Sequence, residues 1–347
     1  MQRVKTGIVI KLDDADYIVN SLAMIGQANQ HMAAAIYAVP LPKGLDAEGM
    51  KQYKAGVDSL AKPFQDDAIK NYEAAIERGF ALEGYSEGLK TAQRELNRLN
   101  KEKFPDFGER AISTKMIDTL GGEKESDLGS AFNSKDEELL VQAVSKRLGK
   151  DQNDLKALGL LAAFYYQQGK FGMARIILNR AQVSHANVPG LHNNQGIIFL
   201  ALGNRRQAIA SLRKAMQLDS DYEIGAANLG SIFVEYKDFK RALSLLKEGY
   251  SAVRSDIRRG VGADVANNYA LALGGTGDTS RAKSIYQDIL KADSSNVVAQ
   301  LNYTILLIQR LKDKKEGEKQ LNRLKFLADD DRTRKAIEEL DRALAQN

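Results

Sequence analysis

The sequence has no cysteine and no tryptophan among its 347 residues, and it has only five prolines and three histidines. Without cysteine there is no disulfide bond, no catalytic thiolate and no cysteine-ligated metal site. The histidines show no metal-ligand spacing such as HExxH, and the glycine-rich stretches lack the GK[ST] of a phosphate loop. No nucleophile, base and orienting acid can be assembled, so we expect no enzyme, no metal site and no cofactor.

The charge is balanced and mixed, which argues against two classes of partner. Lysine and arginine number 50 against 45 aspartates and glutamates, and the net charge is −2 over residues 1–150 and +7 over the remainder. Basic residues are interleaved with acidic ones and lack an aromatic stacking pattern, so we do not expect nucleic-acid binding. No apolar run approaches the roughly 20 residues that cross a bilayer, so we expect no membrane span.

Helical periodicity dominates the first part of the chain. Residues 4–11 suggest one short strand, and a glycine- and serine-rich stretch at 121–130 reads as an inter-domain linker. We therefore expect an N-terminal helical domain over residues 1–130 and a second domain over 131–347. The predicted N-terminal helices cover 13–38, 46–62 (ending at Pro63), 65–79 and 86–100.

The second domain repeats at a fixed period. Ala174, Ala208 and Ala242 lie 34 residues apart, each inside a similar pattern, and a fourth copy around Ala282 follows after 40 residues. Six residues are therefore inserted before the fourth copy, which should lengthen the preceding helix and loop. A degenerate fifth copy lies around Gly317, so the array covers about 152–328 and a charged helix at 331–345 caps it. Such a period is typical of stacked helical hairpins.

Residue classes return at fixed offsets from the repeating alanine. A small residue stands twelve positions before it, a turn residue five before, a large residue four after and, in the first three copies, a small residue seven after. Small residues let the two helices of a hairpin approach closely, and large ones fill the space between neighbours. The turn residues are Gly169, Gly203, Lys237 and Gly277.

This pattern resembles the tetratricopeptide repeat family over about half of the chain. The resemblance implies an all-α superhelix of helical hairpins, with a concave groove lined by the first helix of each hairpin. A further divergent copy is expected at 47–80, because Gly56, Ala68, Tyr72 and Ala75 fit the same offsets. The run AVPLPKGL…Y…L…KPF…A…Y at 38–72 resembles bacterial gliding-motility envelope tetratricopeptide proteins.

The candidate binding residues lie in the expected groove. Asn194, Asn228 and Asn268 occupy one equivalent position in successive copies, and we call this row the asparagine ladder. An asparagine amide offers both a donor and an acceptor, so a row of them can pair with the backbone of an extended peptide whatever its sequence. The alternative is that asparagine merely packs between hairpins. Other expected groove residues are Asn193, Asn267, Ser231, Tyr166 and Gln167.

One weaker candidate is an anion site. Arg254 and Arg258 are one helical turn apart and could hold a phosphate or carboxylate, although a solvated helix face explains the pair equally simply.

The sequence predicts a non-catalytic scaffold or adaptor that binds another protein or an extended peptide in the groove. One alternative is a structural subunit of a bacterial cell-envelope machine, and another is a regulatory subunit of an enzyme complex. The first long helix is a candidate element for self-association. The gliding-motility resemblance favours a periplasmic or envelope location over the cytoplasm.

Overall fold

A computed structural model describes residues 14–255, 257 and 260–346 of the chain. The chain divides into two compact units, Met1–Phe107 and Gly108–Asn347. Helices are the regular elements throughout the described residues, which confirms the all-α class. The strand expected at 4–11 lies outside the described residues. None of the helices in the described part is long and apolar enough to cross a membrane.

The first unit is a three-helix bundle. Its core forms where Tyr72 is fully buried against Gly26, at which a Cβ atom would lie 2.6 Å from the tyrosine ring. The Tyr72 hydroxyl donates to Oε1 of Gln30 at 2.6 Å, so the buried phenol keeps a hydrogen-bond partner. The helices are α1 (Ala15–Tyr37), α2 (Ala47–Leu82) and α3 (Glu87–Leu99).

Two expectations about this unit are wrong. Helix α2 runs without a break through Pro63, where the sequence predicted one helix to end and another to begin. Proline removes the hydrogen bond to the carbonyl of Ser59, but both residues are exposed, so water can satisfy that carbonyl. Because 47–80 lies within this single helix, it also contains no hairpin and no divergent repeat.

The second unit contains the hairpin array. It comprises a 3₁₀ turn (Gly122–Lys124), α4 (Ser126–Asn133), α5 (Glu137–Leu148), α6 (Leu155–Gln167), α7 (Phe171–Ser184), α8 (Pro189–Ala201), α9 (Arg205–Leu218), α10 (Glu223–Glu235), α11 (Phe239–Val253), α12 (Val261–Gly275), α13 (Thr279–Ala292), α14 (Val297–Ile305), a π-helical turn (Leu306–Arg310), α15 (Lys314–Leu327) and α16 (Asp331–Gln346). Helices α6 to α15 pair as five successive hairpins, and α16 packs against α15.

The repeat offsets have the predicted structural roles. The turn residues Gly169, Gly203, Lys237 and Gly277 all adopt positive φ angles, between 59° and 96°. At Gly196 an added Cβ would lie 2.7 Å from Cγ of Leu212, which is the large residue of the same copy. The small position therefore lets α8 and α9 approach closely, as the spacing indicated.

The insertion before the fourth copy is spread over three elements. Helix α11 has 15 residues where α9 has 14, and α12 has 15 where α10 has 13. The connection between α11 and α12 is also longer than that between α9 and α10. The expected lengthening of the second helix and its loop is therefore present, and α12 begins earlier as well.

The structure places the domain boundary at Phe107 where the sequence predicted 130, and 121–130 is part of the array instead of a linker. A Cβ at Gly122 would lie 2.6 Å from the carbonyl oxygen of Lys156, so this backbone packs directly on α6. Leu128 is completely buried in the core that α6 and α7 share. Glycine and serine provide close packing here, which composition alone does not distinguish from flexibility.

Candidate peptide-binding groove

The three predicted ladder asparagines lie on the first helices of successive hairpins. Asn194 is on α8, Asn228 on α10 and Asn268 on α12, and each is completely buried. Because they occupy equivalent positions of stacked helices, their amides form one row along the array.

Residues 109–120 of the same chain run along this row without regular secondary structure, and we call them the resident segment. Each ladder asparagine binds one of its residues at two points: Oδ1 accepts the backbone N–H, and Nδ2 donates to the carbonyl oxygen of the same residue. The pairs, with these two distances in that order, are Asp118 with Asn194 (2.7 and 2.6 Å), Met116 with Asn228 (2.9 and 2.8 Å) and Ile112 with Asn268 (2.9 and 2.6 Å).

The ladder has a fourth member that the sequence analysis missed. Asn302 on α14 accepts from the backbone N–H of Arg110 at 2.7 Å and donates to its carbonyl oxygen at 2.8 Å. Counting back from Gly317 by the repeat offset gives Tyr303 instead, because the π-helical turn adds one residue between them. The 34-residue interval from Asn268 to Asn302 was the usable signal.

The resident segment has a fixed direction. Its N-terminal end lies at Asn302 near the end of the array, and Asp118 lies at Asn194 near the start. The segment therefore runs opposite to the order of the repeats.

A second row of asparagines cross-links neighbouring repeats. Asn193 donates to the carbonyl oxygen of Met116 at 3.0 Å, and its Oδ1 accepts from Nδ2 of Asn228 at 2.8 Å. Asn267 likewise donates to the carbonyl oxygen of Arg110 at 3.2 Å and accepts from Asn302 at 2.9 Å. These predicted groove residues therefore bind the same segment and orient the ladder amides.

The middle of the segment is held differently. Thr114 is buried, and its hydroxyl donates to the carbonyl oxygen of Ala227 at 2.9 Å. The neighbouring side chains of Ser113 and Lys115 are exposed. The alternation of contacts along the segment is that of an extended chain, whose successive residues face opposite sides.

Charged groups fix the N-terminal end of the segment. Arg310 binds Glu109 with two hydrogen bonds of 2.9 and 3.1 Å, and Arg110 binds Asp330 with two of 3.0 and 3.3 Å. Hydrogen bonds from Arg110, and then from the side chain and backbone of Thr333, hold the pKa of Asp330 well below its ordinary value. Such two-point pairs define direction as well as strength.

The C-terminal end is fixed by a tyrosine and by a close approach to glycine. Oδ2 of Asp118 accepts from the Tyr222 hydroxyl at 2.7 Å. Burial first, and then the nearby Asp118 carboxylate, raise the pKa of Tyr222, so the phenol remains a donor. Leu120 lies over Gly159, where a Cβ atom would come within 2.6 Å of its Cδ1.

The structure places the other predicted site residues elsewhere. The Ser231 hydroxyl donates to the carbonyl oxygen of Asn228 within its own helix, so it does not contact the segment through that bond. The Tyr166 ring packs on Phe171 with ring centres 5.6 Å apart, and Gln167 is exposed at the end of α6. These two lie near the hairpin turn because repeat one was registered from its C-terminal end.

The predicted anion site is only partly described. Arg254 is exposed in the turn that follows α11, and Arg258 lies outside the described residues. The anion site stays a prediction.

Comparison with known proteins supports the repeat assignment. Residues 189–222 match the family model described as tetratricopeptide repeat, and they comprise α8, α9 and the connection to α10. The chain is 26% identical over 183 residues to the BBSome complex member BBS4 of Bos taurus. That similarity covers 51% of this chain and 34% of the relative, so it spans about a third of the relative's length.

Solved structures of low sequence identity share the hairpin fold. YrrB, described as a tetratricopeptide repeat protein with an unusual peptide-binding site, is 14% identical with a TM-score of 0.49. The match covers 57% of this chain and 98% of YrrB. MamA from Desulfovibrio magneticus RS-1 is 18% identical with a TM-score of 0.43, over 50% of this chain and 94% of MamA.

Proposed function

We propose, on the premise that this chain carries a tetratricopeptide repeat array, that it is a non-catalytic interaction scaffold whose groove binds an extended protein segment. The groove presents paired donors and acceptors at a spacing that suits an extended backbone, which is the requirement for holding a segment through its main chain.

One observation carries this proposal: four asparagine side chains make eight hydrogen bonds to the backbone of residues 110, 112, 116 and 118. Each net contribution is about 1 kcal/mol, and the bonds depend little on side-chain identity. The ladder therefore recognises an extended conformation. The resident segment is one occupant of this site, and a partner segment would be another.

A partner segment must compete with the resident one. A tethered occupant has an effective local concentration on the order of millimolar, so a free peptide reaches the ladder only weakly while the resident segment is in place. We therefore expect partner binding to become strong when the resident segment is loosened.

The test uses the full chain with Ile112→Pro and Met116→Pro, which remove the N–H groups that Asn268 and Asn228 accept. A fluorescent peptide with the sequence of residues 107–121 is titrated against it, and anisotropy reports binding. We expect saturable binding by this variant and at least tenfold weaker binding by the unmodified chain.

Two controls make the test decisive. Ser113→Pro with Lys115→Pro places two prolines at the intervening positions and keeps all four ladder donors, so it should resemble the unmodified chain. Adding Asn194→Ala, Asn228→Ala and Asn268→Ala to the Ile112→Pro, Met116→Pro chain should abolish peptide binding. If that chain binds no peptide while circular dichroism shows it folded, the groove is a structural clamp and the proposal fails.

The envelope location remains a prediction that rests on the resemblance of residues 38–72. Cell fractionation with immunodetection of the chain tests it: recovery in the cytoplasmic fraction would contradict an envelope role.

A further inference from the structure

We propose that the groove selects its segment by charge at both ends: it takes an extended segment with an adjacent Glu-Arg pair and an aspartate eight residues after the arginine. The inferred partner is a protein that carries such a segment and binds it in the direction of the resident one. This inference rests on the proposed function, and it adds side-chain selectivity to backbone recognition.

At the N-terminal end, two opposite charges are recognised separately. Glu109 and Arg110 are successive residues of an extended chain, so they project to opposite sides. One meets Arg310 at the end of the π-helical turn, and the other meets Asp330 just before α16. Glu109, Arg110 and Arg310 each expose less than a fifth of their side chain.

This burial converts the pairing into selectivity. A segment with the two charges reversed would place like charges together, and a neutral segment would leave Arg310 without its bidentate carboxylate partner in a confined site. Arginine and carboxylate pairs with two hydrogen bonds also require defined geometry, so a lysine in place of the arginine should bind less well.

At the C-terminal end, the site fits a short carboxylate. Asp118 receives the Tyr222 hydroxyl on Oδ2 and its own backbone N–H from Leu120 on Oδ1. A Cβ atom at Gly190 would lie 2.6 Å from Oδ2, so this carboxylate occupies space that only glycine leaves free. A glutamate, one methylene longer, would have to displace Tyr222 or the α8 backbone.

The ladder fixes the distance between the two ends. Asn302 holds Arg110 and Asn194 holds Asp118, so the charged positions stay eight residues apart for any segment in this register. Between them, Ser113 and Lys115 have exposed side chains and are not selected. Thr114 presents a neutral hydroxyl to a backbone carbonyl, which adds a preference for a small hydroxyl residue.

The test compares peptides on the full chain with Ile112→Pro and Met116→Pro. The reference peptide has the sequence of residues 107–121, and three altered peptides replace the glutamate with Gln, the arginine with Gln or the aspartate with Asn. We expect each replacement to raise the Kd about tenfold, as the loss of a charge-assisted, two-point contact does. A peptide with Ser and Lys of the middle replaced by Ala is the matched control and should bind unchanged.

A charge exchange separates recognition from general destabilisation. Asp330→Arg in the same chain should weaken the reference peptide and favour a peptide with Glu in place of its arginine, which reverses the order of the two affinities. Tyr222→Phe should remove most of the preference for Asp over Asn at the other end. Neither reversal is expected if the charged residues only support the fold.

The outcomes distinguish the two proposals. If all peptides bind within twofold of each other, the selectivity is overturned and the backbone-binding groove stands. If the reference peptide does not bind at all, the proposed function itself fails. A second copy of this chain carries the same segment, so sedimentation of the unmodified chain is measured as well. A dimer that Ile112→Pro with Met116→Pro abolishes would identify another copy as the occupant and overturn the assignment to a separate partner.

Discussion

Asn228 donates its amide hydrogen to Oδ1 of Asn193 at 2.8 Å, and both side chains donate to the carbonyl oxygen of Met116. Asn302 and Asn267 repeat this arrangement at the carbonyl of Arg110. One backbone carbonyl of the resident segment thus connects two successive repeats. Segment binding and repeat stacking are therefore coupled through the same amides.

Replacing Asn228 should loosen the segment locally. Asn228→Ala leaves the N–H of Met116 without its acceptor in a buried site, which costs about 1–3 kcal/mol. We expect amide hydrogen exchange at Met116 to accelerate at least tenfold. Ser231→Ala is the control, because Ser231 lies on the same helix and bonds only to that helix's backbone in this contact. Equal exchange rates in the two variants would contradict segment binding by the ladder.

Acid should release the N-terminal end of the segment. Hydrogen bonds from Arg110 and Thr333 lower the pKa of Asp330, so the stabilisation they give is present above the ordinary aspartate pKa near 4 and is lost as the pH falls below it. We expect the exchange protection factor of the Arg110 amide, corrected for intrinsic exchange, to fall from about pH 4 downward.

Asp330→Asn provides the matched comparison for this acid effect. The amide cannot titrate, so protection of the Arg110 N–H should be lower at neutral pH and should lose its dependence on pH below 4. If the unmodified chain and Asp330→Asn show the same pH profile, the ion pair does not hold this end of the segment.

The repeat was predictable from sequence because its signals are local. The turn position five residues before the repeating alanine requires a positive φ, and Gly203 and Lys237 both have one. The ladder followed from the same periodicity. Its occupant did not, because residues 109–120 have no periodic pattern and their contacts lie more than 70 residues away in sequence.

Irregular backbone caused the other errors. A π-helical turn shifts the offset by one residue and concealed Asn302, and Pro63 continues a helix because its unpaired carbonyl faces water. The glycine-rich stretch at 121–130 resembles a linker in composition, but it packs tightly on α6. In each case the three-dimensional surroundings decide, and they are not encoded within the local window.

The close contact between Gly196 and Leu212 should be sensitive to one methyl group. Gly196→Ala would place its Cβ 2.7 Å from Cγ of Leu212, and overpacking of this kind costs about 1–3 kcal/mol. Leu212→Ala alone should cost about 2–5 kcal/mol through the cavity it creates. Combined, the two should cost less than their sum, because the smaller residue at 212 makes room for the added methyl. Urea unfolding of the four chains measures this, and strict additivity would contradict the contact.

Restoring the hydrogen bond at Pro63 should stabilise the first unit. Pro63→Ala returns an N–H to the middle of a 36-residue helix and removes a residue that costs up to about 3 kcal/mol in helix interiors. We expect slower amide exchange on both sides of position 63 and a gain of about 1–3 kcal/mol in the stability of this unit. Lys62→Ala, at an exposed neighbouring position, should change it by less than about 0.5 kcal/mol. A loss of stability on Pro63→Ala would mean that a proline-induced bend in α2 is needed for its packing against α1.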